Sequence, residues 1–316
     1  MKERKTIVDF LNNIEAFETI LQQTQEDLKE LLVDTILPYF YNEEDIINND
    51  GYICVNGETD IMLLAHMDTV FNSPPELIIY DEDKNIITSP QGLGGDDRCG
   101  IFSIVSLLKA GYRPFLLFTE DEEIGGVGAS KAGKTLDIPE SIKYLVQLDR
   151  RGKDDAVFYC CDNKDFKHFI EDYNFSISSG SFTDIDTLMP IWDICGVNLS
   201  IGYYNEHSKH EYVRINEMVE TTLKVAKMIE TLPEEKHEFT ALKTGSVFND
   251  EDYLKSVYGG AYSNLRSRLT DTKTCEICGE DYSSNIVHHI YNIDVCETCL
   301  QLLNTNELEG EVIHAI

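Results

Sequence analysis

Positive charge is scarce in this sequence, which has 26 Lys and Arg residues against 57 Asp and Glu residues and a formal net charge of −31. Such an acidic surface repels the phosphates of nucleic acids and anionic lipids. The composition therefore predicts a protein that binds neither nucleic acid nor membrane. Hydrophobic residues make up 42% of the chain, which favours a folded protein over an acidic disordered one.

Long apolar runs are also missing, so no segment is long enough to span a bilayer. The first residues, MKERK, lead into an amphipathic stretch and lack the apolar core of a signal peptide. Nine cysteines are an odd number, and four of them form two Cys-x-x-Cys motifs. This pattern favours metal binding in a reducing compartment over a disulfide framework, and we expect a cytoplasmic protein.

Strand and helix signals alternate as far as residue 232, which predicts a layered α/β domain. We expect a turn at Asn56-Gly57 to join the first two strands and residues 77–88 to form a second hairpin. The predicted domains are a catalytic domain at 1–235, a linker at 236–272 and a zinc-ribbon-like domain at 273–316. The predicted strands are 52–55, 61–65, 114–119, 144–148, 156–160 and 193–201, and the predicted helices are 7–33, 101–110, 164–173 and 215–232.

Polar side chains that can bind metals follow several of the predicted strands. In open α/β sheets the carboxyl ends of strands are where ligands bind, so these side chains can converge. Burying so many carboxylates without a cation would be very costly, whereas two zinc ions would balance three carboxylates and one hydroxide. The candidates are His66, Asp68, Asp96, Asp97, Glu122, Glu123, Asp149 and His207.

Five motifs occur in an order and spacing that carry a resemblance: HMDTV, GGDDRCG, FTEDEEIGG, the strand-end Asp149 and NEHSKHEYV. They resemble the co-catalytic zinc exopeptidases and amidohydrolases, a superfamily that includes peptidase T and the zinc aminopeptidases. The resemblance runs from about residue 50 to residue 232. It implies a three-layer α/β fold, in which helices flank a mixed sheet.

The resemblance also implies roles for individual residues. Asp96 would bridge two metal ions, Asp68 would orient His66, and Glu122 would act as general base. Both His207 and His210 are candidates for the last ligand, and the resemblance favours His207 because the family motif places the ligand before x-x-x-Glu, here Glu211. The implied metal ligands are His66, Asp96, Glu123, Asp149 and His207.

The resemblance implies an enzyme that hydrolyses an amide bond, and we expect an aminopeptidase that acts on short peptides. One alternative is an N-acyl amino acid deacylase, which would take acylated amino acids at the same metals. Another is a catalytically inactive scaffold that binds a protein partner through its zinc ribbon. The expected catalytic metals are two zinc ions, with cobalt or manganese as alternatives.

Two features depart from the family pattern. The segment after Asp149 is too short for the lid or dimerisation domain of peptidase T, so we expect no lid. Arg150 and Arg151 stand where many relatives have small residues. Either arginine could hold a substrate carboxylate, and equally the two could be a surface pair that offsets nearby acids.

The tail has the spacing of a four-cysteine zinc site at Cys275, Cys278, Cys296 and Cys299. Thiolates bind zinc in a closed tetrahedron, so this zinc would be structural and the tail would form a zinc ribbon or treble clef. Such a module could contact a protein partner or cover the active site. The other cysteines are predicted to be buried small hydrophobes: Cys54, Cys99, Cys160, Cys161 and Cys195.

Overall fold

A computed structural model describes residues 2–242, 272–274, 281–283, 287–290 and 293–296. The chain divides into two compact units, residues 1–242 and 243–316. Among the described residues, no helix is both long enough and apolar enough to cross a membrane.

The first unit alternates helices and strands. Helices α1 to α8 are Lys2–Leu11, Ile14–Leu21, Gln25–Leu31, Gly95–Ala110, Val127–Thr135, Lys164–Glu171, Asp184–Trp192 and Ile215–Glu230. A π-helix at Leu32–Ile36 and 3-10 helices at Leu37–Tyr39 and Glu43–Asp45 follow α3. Strands β1 to β12 are Ile46–Asn49, Tyr52–Val55, Thr59–His66, Ile79–Asp81, Ile86–Thr88, Pro114–Thr119, Leu145–Arg150, Asp155–Val157, Ser176–Ser178, Gly196–Ser200, Tyr203–Tyr204 and Tyr212–Arg214.

Within residues 2–242, eight strands form one mixed sheet in the order β1-β2-β6-β3-β7-β10-β8-β9. The central strands β6, β3, β7 and β10 run parallel to their neighbours in that group. Their side chains are buried almost throughout, as expected for strands covered on both faces. A smaller antiparallel sheet has the order β11-β12-β5-β4. The α/β fold predicted from the sequence, with helices flanking a mixed sheet, is confirmed.

The connections around β3 place helices on both faces of the large sheet. The chain passes from β3 through α4 to β6 on one side, then through α5 to β7 on the other side of β3. Crossovers of this kind are nearly always right-handed, so connections in opposite directions put their helices on opposite faces. Helix α4 packs on β3 and β7 and against α1 and α8, whereas α5 packs against α7, which lies on β7 and β10.

The predicted hairpin between the first two strands is wrong, because β6 lies between β2 and β3. Strand β2 pairs antiparallel with β6, and β3 pairs parallel with the other edge of β6. Gly57 is needed there for a different reason: a Cβ at this position would lie 2.2 Å from the carbonyl carbon of Pro114. The close approach of two backbones, and not a tight turn, explains this glycine. The predicted hairpin of β4 and β5 is confirmed.

The single long helix predicted for residues 7–33 is also wrong, because the chain forms α1, α2 and α3 there. Two polar residues start new helices. The Asn13 side chain accepts a hydrogen bond from the N–H of Ala16, and the Thr24 side chain accepts one from the N–H of Asp27. Asn and Thr favour N-cap positions over helix interiors, so the apolar periodicity continues across two breaks in the helix.

The second unit contains four short described strands, which form two antiparallel hairpins. These are β13 to β16, at Thr272–Thr274, Asp281–Ser283, Val287–Ile290 and Ile293–Cys296. Cys275, Cys278 and Cys299 lie outside the described residues, and only the backbone of Cys296 is described. The four-cysteine zinc site therefore stays a prediction.

Residues 237–242 continue the first unit beyond the boundary predicted at residue 235. This segment, which we call the strap, lies beside the residues that precede β7 and β10 and those that follow β8. Its backbone joins the unit through four hydrogen bonds: His237 N to Lys143 O at 2.9 Å, Cys195 N to His237 O at 2.8 Å, Asp162 N to Thr240 O at 2.7 Å, and Leu242 N to Cys160 O at 2.9 Å.

We predict that a chain ending at Leu242 folds by itself, whereas one ending at residue 235 is less stable. Loss of the four strap hydrogen bonds should lower the free energy of unfolding by about 2–4 kcal/mol, at roughly 1 kcal/mol for each bond. Urea unfolding of the two truncated proteins measures the difference. Equal midpoints and slopes would show that the strap does not stabilise the unit.

Candidate metal centre

The candidate metal centre lies where β3, β6 and β7 end. His66 is the last residue of β3, Glu122 and Glu123 follow β6, and Asp149 is near the end of β7. The strand order reverses direction around β3, and ligands in open α/β sheets bind at this kind of position. The sheet therefore brings together residues that are far apart in the sequence.

A first cluster contains His66, Asp96 and Asp149. His66 Nε2 lies 3.2 Å from Asp96 Oδ1 and 3.6 Å from Asp149 Oδ1. The side chains of all three residues are almost completely buried. One ligand atom from each lies within 4.8 Å of the others, which is close enough to surround one ion.

A second cluster contains Asp96, Glu123 and His207, so Asp96 belongs to both. His207 Nε2 lies 3.2 Å from Asp96 Oδ2 and 3.0 Å from Glu123 Oε1. The buried Glu123 Oε1 has no hydrogen-bond partner despite this proximity. An unpaired buried carboxylate oxygen is costly, and a cation bound among these atoms would satisfy it. The donor set of two imidazoles and three carboxylates suits two zinc ions.

Asp68 ties His66 to the turn after β6. Its Oδ1 lies 3.1 Å from His66 Nδ1 and accepts the N–H of Glu122 at 3.0 Å, and its Oδ2 accepts the N–H of Glu123 at 2.9 Å. Burial raises the pKa of Asp68, but the hydrogen bonds from His66 and from these N–H groups outweigh it and lower the pKa. An ionised Asp68 directs the Nε2 atom of His66 toward the first cluster.

Glu122 belongs to neither of these two clusters, and together with His66 and Glu123 it forms a third group of possible ligands. It lines a cavity of about 280 Å³ together with Asp96, Asp149 and His207. Burial raises its pKa well above the usual value, and the charge of Asp149 adds to this effect. A carboxylate with a raised pKa can accept a proton and hold it, which is what a general base requires.

Asp96 is held by Glu211, which the sequence singled out only through the spacing of a motif. The fully buried Glu211 carboxylate accepts the N–H of Asp96 at 3.0 Å and that of Gly94 at 2.7 Å. The peptide bond between Asp96 and Asp97 is cis. Asp97 in turn accepts the backbone N–H of His66 at 3.3 Å. The turn before α4 is thus fixed from two sides.

Asp149 is held by residues that the sequence analysis missed. Its Oδ2 accepts hydrogen bonds from Thr183 Oγ1 at 2.7 Å and Gln147 Nε2 at 3.2 Å, and its Oδ1 accepts one from the Tyr203 hydroxyl at 3.1 Å. Only Gln147 had a signal in the sequence, as a polar residue inside an apolar strand. Thr183 and Tyr203 come from distant segments, so the fold alone brings them to Asp149.

Opposite charges in the clusters shift the pKa values of the ligands. Burial lowers the pKa of His66, but hydrogen bonds to Asp149, Asp68 and Asp96 outweigh it and raise the pKa well above the usual value. The facing carboxylates of Asp96 and Glu123 raise the pKa of His207 to about 11. Without a metal, protons therefore occupy both imidazoles and offset part of the carboxylate charge.

The two arginines after Asp149 both line the cavity. Arg150 donates to the Ser179 carbonyl at 3.1 Å, while its Nε is buried without a hydrogen-bond partner. Arg151 donates to Glu206 Oε1 at 2.7 Å. Each guanidinium group therefore has a hydrogen-bond partner, and that of Arg150 also has an N–H group without one.

No protein-family model and no curated protein matches this chain. Solved structures do. The crystal structure of aminopeptidase PepT from Bacillus cereus has a TM-score of 0.56 at 16% identity, with 71% of this chain and 98% of that chain covered. A tripeptidase from Staphylococcus aureus has a TM-score of 0.56 at 13% identity, with 71% and 98% covered. An aminopeptidase from the archaeon Desulfurococcus kamchatkensis has a TM-score of 0.52 at 15% identity, with 69% and 94% covered. This chain has their fold.

Metal binding should release protons, because a divalent ion binds only the neutral imidazole of His207, whose pKa is raised to about 11. Affinity should therefore rise with pH through the neutral and alkaline range. We predict that His207→Ala releases about one proton fewer than the wild type when zinc is added at pH 7. Calorimetry in buffers with different ionisation enthalpies measures this number.

His210→Ala is the matched control, since His210 is exposed and belongs to neither cluster. It should leave the proton release unchanged. If His210→Ala reduced the proton release and His207→Ala did not, His210 and not His207 would be the metal ligand.

Proposed function

We propose that this protein is a two-zinc aminopeptidase that acts on short peptides. The observation that carries the proposal is the pair of clusters that share Asp96, with one oxygen of its carboxylate directed to each cluster. His66 and Asp149 would hold one ion, and Glu123 and His207 the other. Two bound zinc ions would polarise a scissile carbonyl and make a water molecule more acidic.

Glu122 would be the general base. It precedes the ligand Glu123 and lines the cavity, so its carboxylate can reach a water molecule there without being needed as a ligand. It would take a proton from that water and deliver it to the leaving amine. Asp68 would keep both the ligand and the base in place through its two N–H hydrogen bonds.

The peptide substrate would lie in the cavity beside the clusters. Arg150 and Arg151 line this cavity, and Arg151 pairs with Glu206 at 2.7 Å. We propose that Arg150 or Arg151 holds a carboxylate of a short peptide, which would favour small substrates with a free terminus. Residues 151–183 supply β8, α6 and β9, so we further propose that no separate lid domain closes this cavity.

The fold is consistent with this proposal, since the similar solved structures are an aminopeptidase from Bacillus cereus and a tripeptidase from Staphylococcus aureus. Zinc in the clusters and cleavage of peptides from the amino end are our proposals for this chain. So is a zinc ribbon at Cys275, Cys278, Cys296 and Cys299 that contacts a protein partner.

The zinc-loaded protein should hydrolyse tripeptides with a free amine and leave the same peptides uncut when they are N-acetylated. Glu122→Gln should lower turnover about a hundredfold to ten-thousandfold and keep the metal, because the base is lost while the ligands remain. Initial rates on the two peptide sets, with metal content measured in parallel, make the test.

Glu123→Gln is the matched control. It should lose zinc from one cluster and recover part of its activity in excess metal. Turnover of acetylated amino acids instead of free peptides would favour the deacylase, and absence of hydrolysis on both sets would favour an inactive scaffold. Normal turnover in Glu122→Gln would show that Glu122 is not the base.

A further inference from the structure

Two buried thiols face each other beyond the carboxyl end of β8 and the amino end of β10, away from the metal centre. Cys161 follows β8 and Cys195 precedes β10, and these strands are antiparallel neighbours. Their Sγ atoms are 3.4 Å apart, and the residues are 1% and 0% exposed. A disulfide bond is about 2.05 Å long, so the two sulfur atoms would need to approach by only about 1.4 Å.

We propose that Cys161 and Cys195 are a modification site, at which a disulfide oxidant converts the thiol pair into an intramolecular disulfide. The two cysteines lie just beyond the ends of the adjacent strands β8 and β10, so the bond would join the segments that flank these strands. The proposal is independent of the peptidase function, because neither cysteine is among the residues of the metal centre.

Cys161 would be the attacking thiol. The hydrogen bond from Cys195 lowers the pKa of Cys161 against the effect of burial, and the N–H groups of Asn163 and Thr240 act in the same direction. With glutathione disulfide as oxidant, the Cys161 thiolate attacks one sulfur and releases one glutathione. Cys195 then loses its proton and attacks the Cys161 sulfur, which releases the second glutathione. Two protein thiols are oxidised, and one glutathione disulfide is reduced to two glutathione molecules.

The strap lies against this pair, and we expect it to limit access to the sulfur atoms. The Cys195 thiol lies 3.1 Å from the Glu238 carbonyl, and Asp162 N donates to Thr240 O at 2.7 Å. The ring of His237 packs against Phe166 with centroids 5.0 Å apart. An oxidant reaches the sulfur atoms only when the strap separates. The disulfide has no S–H group, so oxidation leaves no thiol donor beside the Glu238 carbonyl.

Cys160 offers a matched control next in sequence to Cys161. It is also buried, but its thiol forms a hydrogen bond with Asp186, and burial raises its pKa. It has no sulfur partner among the contacts of the described residues. Cys160→Ser therefore tests whether the reaction depends on the position of the sulfur and not merely on a cysteine in this turn.

The experiment treats the native full-length protein with glutathione disulfide, blocks free thiols and maps its peptides by mass spectrometry. We expect a Cys161–Cys195 linked peptide about 2 Da lighter than its two reduced halves. It should appear equally in the wild type and in Cys160→Ser, and disappear with dithiothreitol. Cys161→Ser and Cys195→Ser should lack it.

Only unlinked peptides in the treated wild type would overturn the proposal, as would a glutathione adduct on Cys161 that does not resolve. A link between Cys160 and Cys195 would overturn it too. These outcomes are read from the wild-type protein and from Cys160→Ser, so they do not depend on the folding of the other two variants.

Discussion

The rest of the site depends on the concentration of negative charge at the carboxyl ends of β3, β6 and β7. Asp96, Glu123 and Asp149 meet there almost without solvent, and the paired imidazoles of His66 and His207 offset only part of their charge. Uncompensated buried carboxylates are strongly unfavourable. A fold that keeps them together therefore favours bound cations, and this is the physical basis of the proposal of two metal ions.

Polar residues around the clusters fix their geometry. Asp68 joins the end of β3 to the turn after β6, and Glu211 holds the turn before α4 from the opposite side. Tyr203 and Thr183 hold the two oxygens of Asp149. Each of these partners comes from a different segment, so the packing of the sheet against its helices fixes the geometry of the site. Such preorganisation places the Glu122 carboxylate near the clusters before any substrate binds.

Much of the site could be predicted from the sequence because its residues follow apolar strands directly. His66 and Asp149 are read from strand ends, and the period of two in a strand places His66 and Asp68 on one side. Residues such as Thr183 and Tyr203 could not be found in this way, since their role arises from contacts between distant segments.

The order of strands in the sheet could not be predicted from the sequence for the same reason. The insertion of β6 between β2 and β3 is a non-local pairing, whereas the turn at Asn56-Gly57 is a local signal and suggested a hairpin. The breaks between α1, α2 and α3 show the opposite case, in which local capping by Asn13 and Thr24 interrupts a continuous apolar stripe. Apolar periodicity reports which face is buried, and it does not report where a helix ends.

The most direct test of the account is anomalous diffraction at the zinc edge from crystals of the zinc-loaded protein. We predict two peaks in the first unit, one beside His66 and Asp149 and one beside Glu123 and His207, with the Asp96 carboxylate between them. A single peak, or two peaks that do not share Asp96, would contradict it.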